Sequence, residues 1–124
     1  MKTTPITMVE FLICVASNVT SQFLLKFGTK HHSFMIDVTR PWESLVSVFT
    51  NPLLIGGIVC AIISMGTWMV VVSRSDLSVV FPIANALAFF CIAFFAQFLF
   101  GETMTFIRWT GIALIALGIF LASQ

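Results

Sequence analysis

Apolar residues gather along this chain into four runs, at 6–27, 53–73, 79–100 and 106–122, each bounded by charged or turn-forming residues. A hydrocarbon core of roughly 30 Å takes about 20 helical residues at about 1.5 Å rise each, so every run is of membrane-crossing length, the last at the short end. The first run follows a lone Lys2, has a polar middle and lacks a small-x-small cleavage pattern, so it is expected to stay as a helix rather than be removed as a signal peptide. Between the first two runs, Pro41 is followed by Trp42, Leu45, Val46 and Phe49 at i, i+3, i+4 and i+7 spacing. That spacing predicts a short amphipathic helix over 41–50, lying along the membrane interface with Pro41 at its first position. The other connections, Arg74-Ser75-Asp76 and Gly101-Glu102-Thr103, are short and imply antiparallel neighbours. The pattern thus predicts an all-α integral membrane protein: one domain over 1–124, four transmembrane helices, and an interfacial helix between helices 1 and 2.

Composition agrees. Of 124 residues, 59% belong to the apolar set and only 9% are charged, where a soluble domain carries roughly 25%. So few charges cannot cover the surface of a small globule, which excludes a soluble enzyme. Six basic against five acidic residues leave no patch for nucleic acid. Cys14, Cys60 and Cys91 all lie inside apolar runs and form no disulfide framework. The aromatics are fourteen Phe, three Trp and no Tyr, a set that suits hydrocarbon. Adjacent His31 and His32 lack further ligands at suitable spacing and read as loop residues rather than a metal site. No nucleophile–base constellation or phosphate-cradling glycine loop can be assembled, so neither catalysis nor a cofactor is expected.

Lys2 and Arg74 fall on the side of the chain termini, whereas Lys26, Lys30, Arg40 and Arg108 fall on the other. The positive-inside rule favours that second side as cytoplasmic, by a margin small enough to leave dual topology and an inverted dimer open.

The first run is the polar one. At about 100° per residue, Glu10, Cys14, Ser17, Asn18 and Ser21 fall within about 100° of arc, and polar groups in hydrocarbon need partners. Two readings stand side by side: the wall of a binding site, or hydrogen bonds that hold helices together. Glu10, near the start of its helix, reads as an interfacial residue or a proton carrier. Lys26 either meets a phosphate headgroup or snorkels to the interface. The second run carries Gly56, Gly57, Cys60, Ala61 and Ser64, a packing stripe, and Trp68, which either packs or offers a stacking surface. In the third, Asp76 can cap the helix and Pro82 frees a carbonyl one turn back, near Asn85.

One set of motifs is more particular: Ser75-Asp76-Leu77-Ser78-Val79-Val80-Phe81-Pro82-Ile83, then Gly101-Glu102-Thr103-Met104, then Arg108-Trp109-Thr110-Gly111-Ile112-Ala113-Leu114-Ile115 with Gly118 and Leu121. Outside 29–51 the chain resembles the drug/metabolite transporter superfamily, in particular its four-helix small multidrug resistance-like and EamA-like members. In the proton-coupled exporters of that group, a glutamate sits on the first helix two turns before a lysine. Here that position, eight before Lys26, is Asn18, which can neither release a proton nor neutralise a cation. Phe81 likewise stands where those exporters commonly have a tyrosine. In these departures the chain is similar to small subunits that flip aminoarabinose linked to undecaprenyl phosphate. That resemblance implies that Asn18, Ser21, Gln22 and Lys26 contact the sugar or phosphate, and that Trp68, Phe81 and Asn85 line the path.

The expected function is therefore transport: a multi-pass protein of the bacterial inner membrane, in contact with membrane lipids, that moves a polyprenyl-phosphate-linked sugar or similar amphiphile between leaflets. Four helices rarely enclose a path, so a homodimer, in parallel or inverted arrangement, or a heterodimer with a related subunit is expected. Two alternatives remain: export of small organic cations coupled through Glu10 or Glu102, and a non-transporting membrane scaffold subunit.

Overall fold

Three of the helices begin on a proline, whose fixed φ suits a first helical turn and whose missing N–H costs nothing there. The computed structural model describes residues 5–31, 38–122 and 124. Among these the elements are α1 (Pro5–His31), α2 (Pro41–Thr50), α3 (Pro52–Arg74), α4 (Leu77–Phe100) and α5 (Phe106–Ala122), with no strand. The protein is all-helical, and α1, α3 and α4 are long and apolar enough to cross a membrane. With 17 residues α5 is apolar but shorter. Lys2 and His32 lie outside the described residues.

Two details differ from the sequence expectation. The first helix does not stop at 27 but continues to His31, which is therefore helical rather than part of a loop. Charged and polar residues end an apolar run without ending a helix, and Gly28-Thr29-Lys30 continue the turn, with the Thr29 hydroxyl donating to the Lys26 carbonyl at 3.0 Å. Asp76 is the N-cap of α4, but its side chain makes no capping bond. Its backbone carbonyl accepts instead, from the N–H groups of Val79 and Val80 at 3.1 and 3.0 Å. At the far end Gly101, φ +64°, takes the left-handed conformation that stops α4 and that only glycine adopts readily.

The central contact is an antiparallel seam between α1 and α3. Cys14, Ser21 and Gly28, seven apart on α1, are all buried and meet Ser64, Gly57 and Leu54 as the partner runs back. Ser64 Oγ donates to the Cys14 carbonyl at 3.1 Å, Cys14 Sγ to the Ser64 carbonyl at 3.4 Å, and Ser21 Oγ to the Gly57 carbonyl at 2.8 Å. The Asn51 side chain closes the end of the seam. Its amide nitrogen donates to the Gly28 carbonyl at 3.1 Å while its oxygen caps Leu53 N–H at the start of α3. Small residues permit this approach: a Cβ on Gly28 would lie 2.7 Å from Leu54 Cδ2.

The other helices are held more loosely. Val15 and Val19 of α1 pack on Ala84 of α4, flanked by Phe23 and Trp68. Phe23 and Phe27 meet Phe100, at ring-centroid distances of 6.0 and 4.6 Å. Helix α5 packs on α4, where Trp109 meets Phe90, and has no buried residue. Much of the apolar surface faces outward, as Phe98 and Phe106 show at 70% and 84% exposed, which water would oppose and lipid accommodates.

Candidate functional site

Between the α1–α3 pair and the first half of α4 lies a cleft of about 370 Å³. Asn18, Ser21 and Gln22 reach it from α1, Trp68 from α3, and Phe81 and Asn85 from α4. Six of the residues singled out from sequence therefore line one space. The rest of the wall is apolar or weakly polar, including Cys14, Met65, Ala84 and Ala88, and no lining residue carries a carboxylate.

Spacing on α1 explains how one helix serves both the seam and the cleft. Cys14, Ser21 and Gly28 are buried against α3, whereas Asn18, Gln22, Lys26 and Lys30, each four apart, form an exposed ladder beside them. The polar face of the first helix thus divides. The hydroxyl of Ser21 is committed to Gly57, and Cys14 and Ser64 bond to each other's backbone. Among the described residues Asn18 and Gln22 have no hydrogen-bonding partner, which leaves both amides free to donate and accept.

On the opposite wall, Asn85 Nδ2 donates to the Phe81 carbonyl at 2.8 Å, in the turn that follows the one Pro82 interrupts. Trp68 and Phe81 meet at 60° with ring centroids 6.0 Å apart, so the apolar side of the cleft is a pair of aromatic surfaces facing two amides.

The remaining sequence-derived candidates sit at the two ends of the bundle. Lys26 lies one turn beyond Gln22 and pairs with Glu102 in the α4–α5 connection. Its ammonium also stands 4.2 Å from the centroid of the Phe100 ring, with the Lys30 ammonium 5.8 Å from the same ring. The hydrogen bond from Lys26 holds the Glu102 carboxyl below its ordinary range, and the charge of Arg108 acts in the same direction. At the other end, Arg74 Nη1 reaches Glu10 Oε1 at 3.4 Å, while Glu10 Oε2 is buried with no partner among the described residues. Neither glutamate lines the cleft. A smaller apolar cavity of about 140 Å³, between Phe11, Val71, Val80 and Ile83, lies toward the Glu10 end.

Ser64 belongs to the packing stripe expected from sequence, whereas Asn51, which closes the seam, was not singled out by sequence reasoning. An asparagine directly before Pro52 is an N-cap signal for α3, but its second bond, across to Gly28, has no local signature.

Long apolar helices, an outward-facing apolar surface and a polar recess between helices are the features of one class, the small multi-pass membrane protein. The EamA-like transporter family model matches residues 1–124, and the chain belongs to that family of membrane transporters within the drug/metabolite transporter superfamily. No match was found among curated proteins or among solved structures.

Proposed function

We propose that this transporter moves a polyprenyl-phosphate-linked sugar, or an amphiphile of similar build, between the leaflets of a bacterial inner membrane. The observation that carries the reading is the cleft itself: two unpartnered amides, Asn18 and Gln22, opposite the Trp68 and Phe81 rings, with no lining carboxylate. Amides and aromatic faces suit the hydroxyls and C–H faces of a sugar, whereas a cation site wants negative charge. A cleft of about 370 Å³ is at the small end of ligand sites, roughly 300–1,000 Å³, which suits a sugar headgroup whose prenyl chain stays in lipid.

In this reading the whole chain is one domain. Helices α1, α3, α4 and α5 span the bilayer, α2 lies at the interface with Trp42 75% exposed, and the end bearing Lys26, Lys30, Arg40 and Arg108 faces the cytoplasm. A dimer, with itself or a related subunit, completes the path. Helix α5 supports this, because it has no buried residue of its own and offers an apolar flank.

The test is headgroup flipping in proteoliposomes. Asn18→Ala and Gln22→Ala should each slow it about tenfold, the scale of one or two lost hydrogen bonds to a bound polar group, with helicity and detergent melting unchanged. Wild-type rates from both variants would remove the amides from the site. Export of organic cations coupled through a carboxylate is the second reading, and the buried, unpartnered Oε2 of Glu10 is the observation in its favour. It requires pH-dependent cation uptake that disappears in Glu10→Gln.

A further inference from the structure

Among the described residues, the end of the bundle beside Gln22 holds more positive charge than its contacts use. Lys26 and Lys30 bring two ammonium groups over one ring, Phe100. Arg108, in the first turn of α5, acts on Glu102. Arg40 and Glu43, also on this side, satisfy each other at 3.1 Å. Among the described residues, Lys26 and Arg108 therefore share one carboxylate, Glu102, with the Lys30 ammonium beside them over the Phe100 ring. The Lys26–Glu102 pair is half exposed, at 46% and 39%, and ion pairs in such positions contribute little and exchange readily.

We propose that Lys26, Lys30 and Arg108 form a binding site for a phosphate-bearing headgroup, at which Glu102 is a built-in competing anion. This deepens the reading of the protein as a phosphate-lipid transporter and rests on it. The ladder on α1 sets the geometry. A phosphate at Lys26 is one helical turn, about 5–6 Å, from the Gln22 amide and two from Asn18, so a sugar attached to it falls into the cleft. The Phe23, Phe27 and Phe100 rings next to Lys26 offer an apolar surface to the chain. A phosphate joined to both chain and sugar keeps two free oxygens and one permanent charge, enough to replace the Glu102 carboxylate among these donors, and a monoester such as undecaprenyl phosphate carries up to two charges.

Exchange at this site also has a mechanical effect. Glu102 lies in the α4–α5 connection, and Lys26 on the α1–α3 pair, which is tied by buried hydrogen bonds. When phosphate takes Lys26, the polar tie across the loosely packed boundary between α1 and α4 is released. Ligand arrival and release of that boundary are then one event.

The experiment measures binding to the purified full chain in detergent with four probes: undecaprenyl phosphate, undecaprenol, phosphatidic acid and inorganic phosphate. Undecaprenyl phosphate should bind and undecaprenol should not, with affinity falling as salt rises. Glu102→Gln should bind undecaprenyl phosphate about three- to fivefold tighter, the range of a surface ion pair removed from competition. Lys26→Gln should bind about tenfold more weakly, Lys26→Arg close to wild type, and Lys30→Gln/Arg108→Gln in between. Inorganic phosphate that displaces the lipid identifies the phosphate group alone as sufficient, and displacement by phosphatidic acid only identifies a lipid headgroup. Folded Glu102→Gln and Lys26→Gln variants that bind like wild type overturn the proposal, as does equal binding of undecaprenol. Parallel flipping assays separate the two ideas. Charge-dependent binding without any flipping overturns the transport reading and leaves the site, whereas flipping indifferent to both substitutions does the reverse.

Discussion

Two glycines of α3 give opposite expectations for the same substitution. Gly57 lies on the seam, and a methyl group there would sit 2.9 Å from both Cγ and Cδ2 of Leu25 and 3.2 Å from the Leu25 backbone nitrogen. Carbon contacts are comfortable at about 3.5–4.0 Å, so α1 and α3 must separate by several tenths of an ångström. Overpacking of this kind costs about 1–3 kcal/mol, against about 1 kcal/mol gained when alanine replaces glycine in a helix. Separation also stretches the Ser21–Gly57 bond, 2.8 Å in the native seam and worth about 0.6 kcal/mol on the scale of membrane hydrogen bonds. Gly57→Ala should therefore destabilise by about 1 kcal/mol. Gly66, about two and a half turns further along the helix, has nothing within 4 Å of the added methyl, so Gly66→Ala collects the propensity term alone and stabilises by up to about 1 kcal/mol. Reversible unfolding in mixed detergent and dodecyl sulfate micelles, followed by helical circular dichroism, measures both variants on one scale. The expected gap is about 2 kcal/mol. A Gly57→Ala protein as stable as Gly66→Ala would refute the close approach of α1 and α3.

The other expectations concern the seam, the Lys26–Glu102 pair that acts as a latch between α1 and the α4–α5 connection, and the interfacial helix. Ser64→Ala removes a buried hydroxyl that donates to Cys14 and should cost about 0.5–1 kcal/mol in the same unfolding measurement, while ligand affinity stays within twofold although Ser64 borders the cleft; an affinity loss without destabilisation would make its hydroxyl a ligand contact rather than a seam bond. Because the folded-state pKa of Glu102 lies below its ordinary 4.5, the latch contributes stability above that value and loses it as pH falls through the lowered one. The melting difference between wild type and Glu102→Gln should thus be constant from pH 7 to 5 and shrink below about 4.5; a difference that grows on acidification would contradict this sign. With Trp68 and Trp109 replaced by Phe, fluorescence from Trp42 should be quenched more by lipids brominated near the headgroup than by those brominated deep in the chain; the opposite order would place α2 inside the bilayer.

Much of the architecture was legible because hydrophobic run length maps directly onto helices. The run at 106–122 coincides with α5, and the i, i+3, i+4, i+7 pattern after Pro41 coincides with α2. The end of α1 was not legible from the same signal, since Lys26, Thr29 and Lys30 are polar yet good enough helix residues to carry the backbone on. For the site, periodicity gathered Asn18 and Ser21 on one face but could not divide them. Their roles depend on what α3 presents at each height, and Gly57 offers its carbonyl to Ser21 alone. The Lys26–Glu102 contact joins positions 76 residues apart, so no local pattern announces it. Asp76 shows the converse: a residue type that favours side-chain capping whose backbone did the capping instead.

The tightest contact among the described residues, the α1–α3 seam, joins two long helices that leave the ribosome before α4 and α5. Cys14–Ser64, Ser21–Gly57 and Gly28–Asn51 can all form as soon as residue 74 has emerged, with nothing required from the later sequence. A membrane hairpin can thus be complete before α4 is made, and the later helices join a settled template. Early closure also shields Ser21, Ser64 and Asn51 from the bilayer during biogenesis, the stage at which bare polar groups attract quality control. The order of genes' translation and the order of packing strength run the same way along this chain.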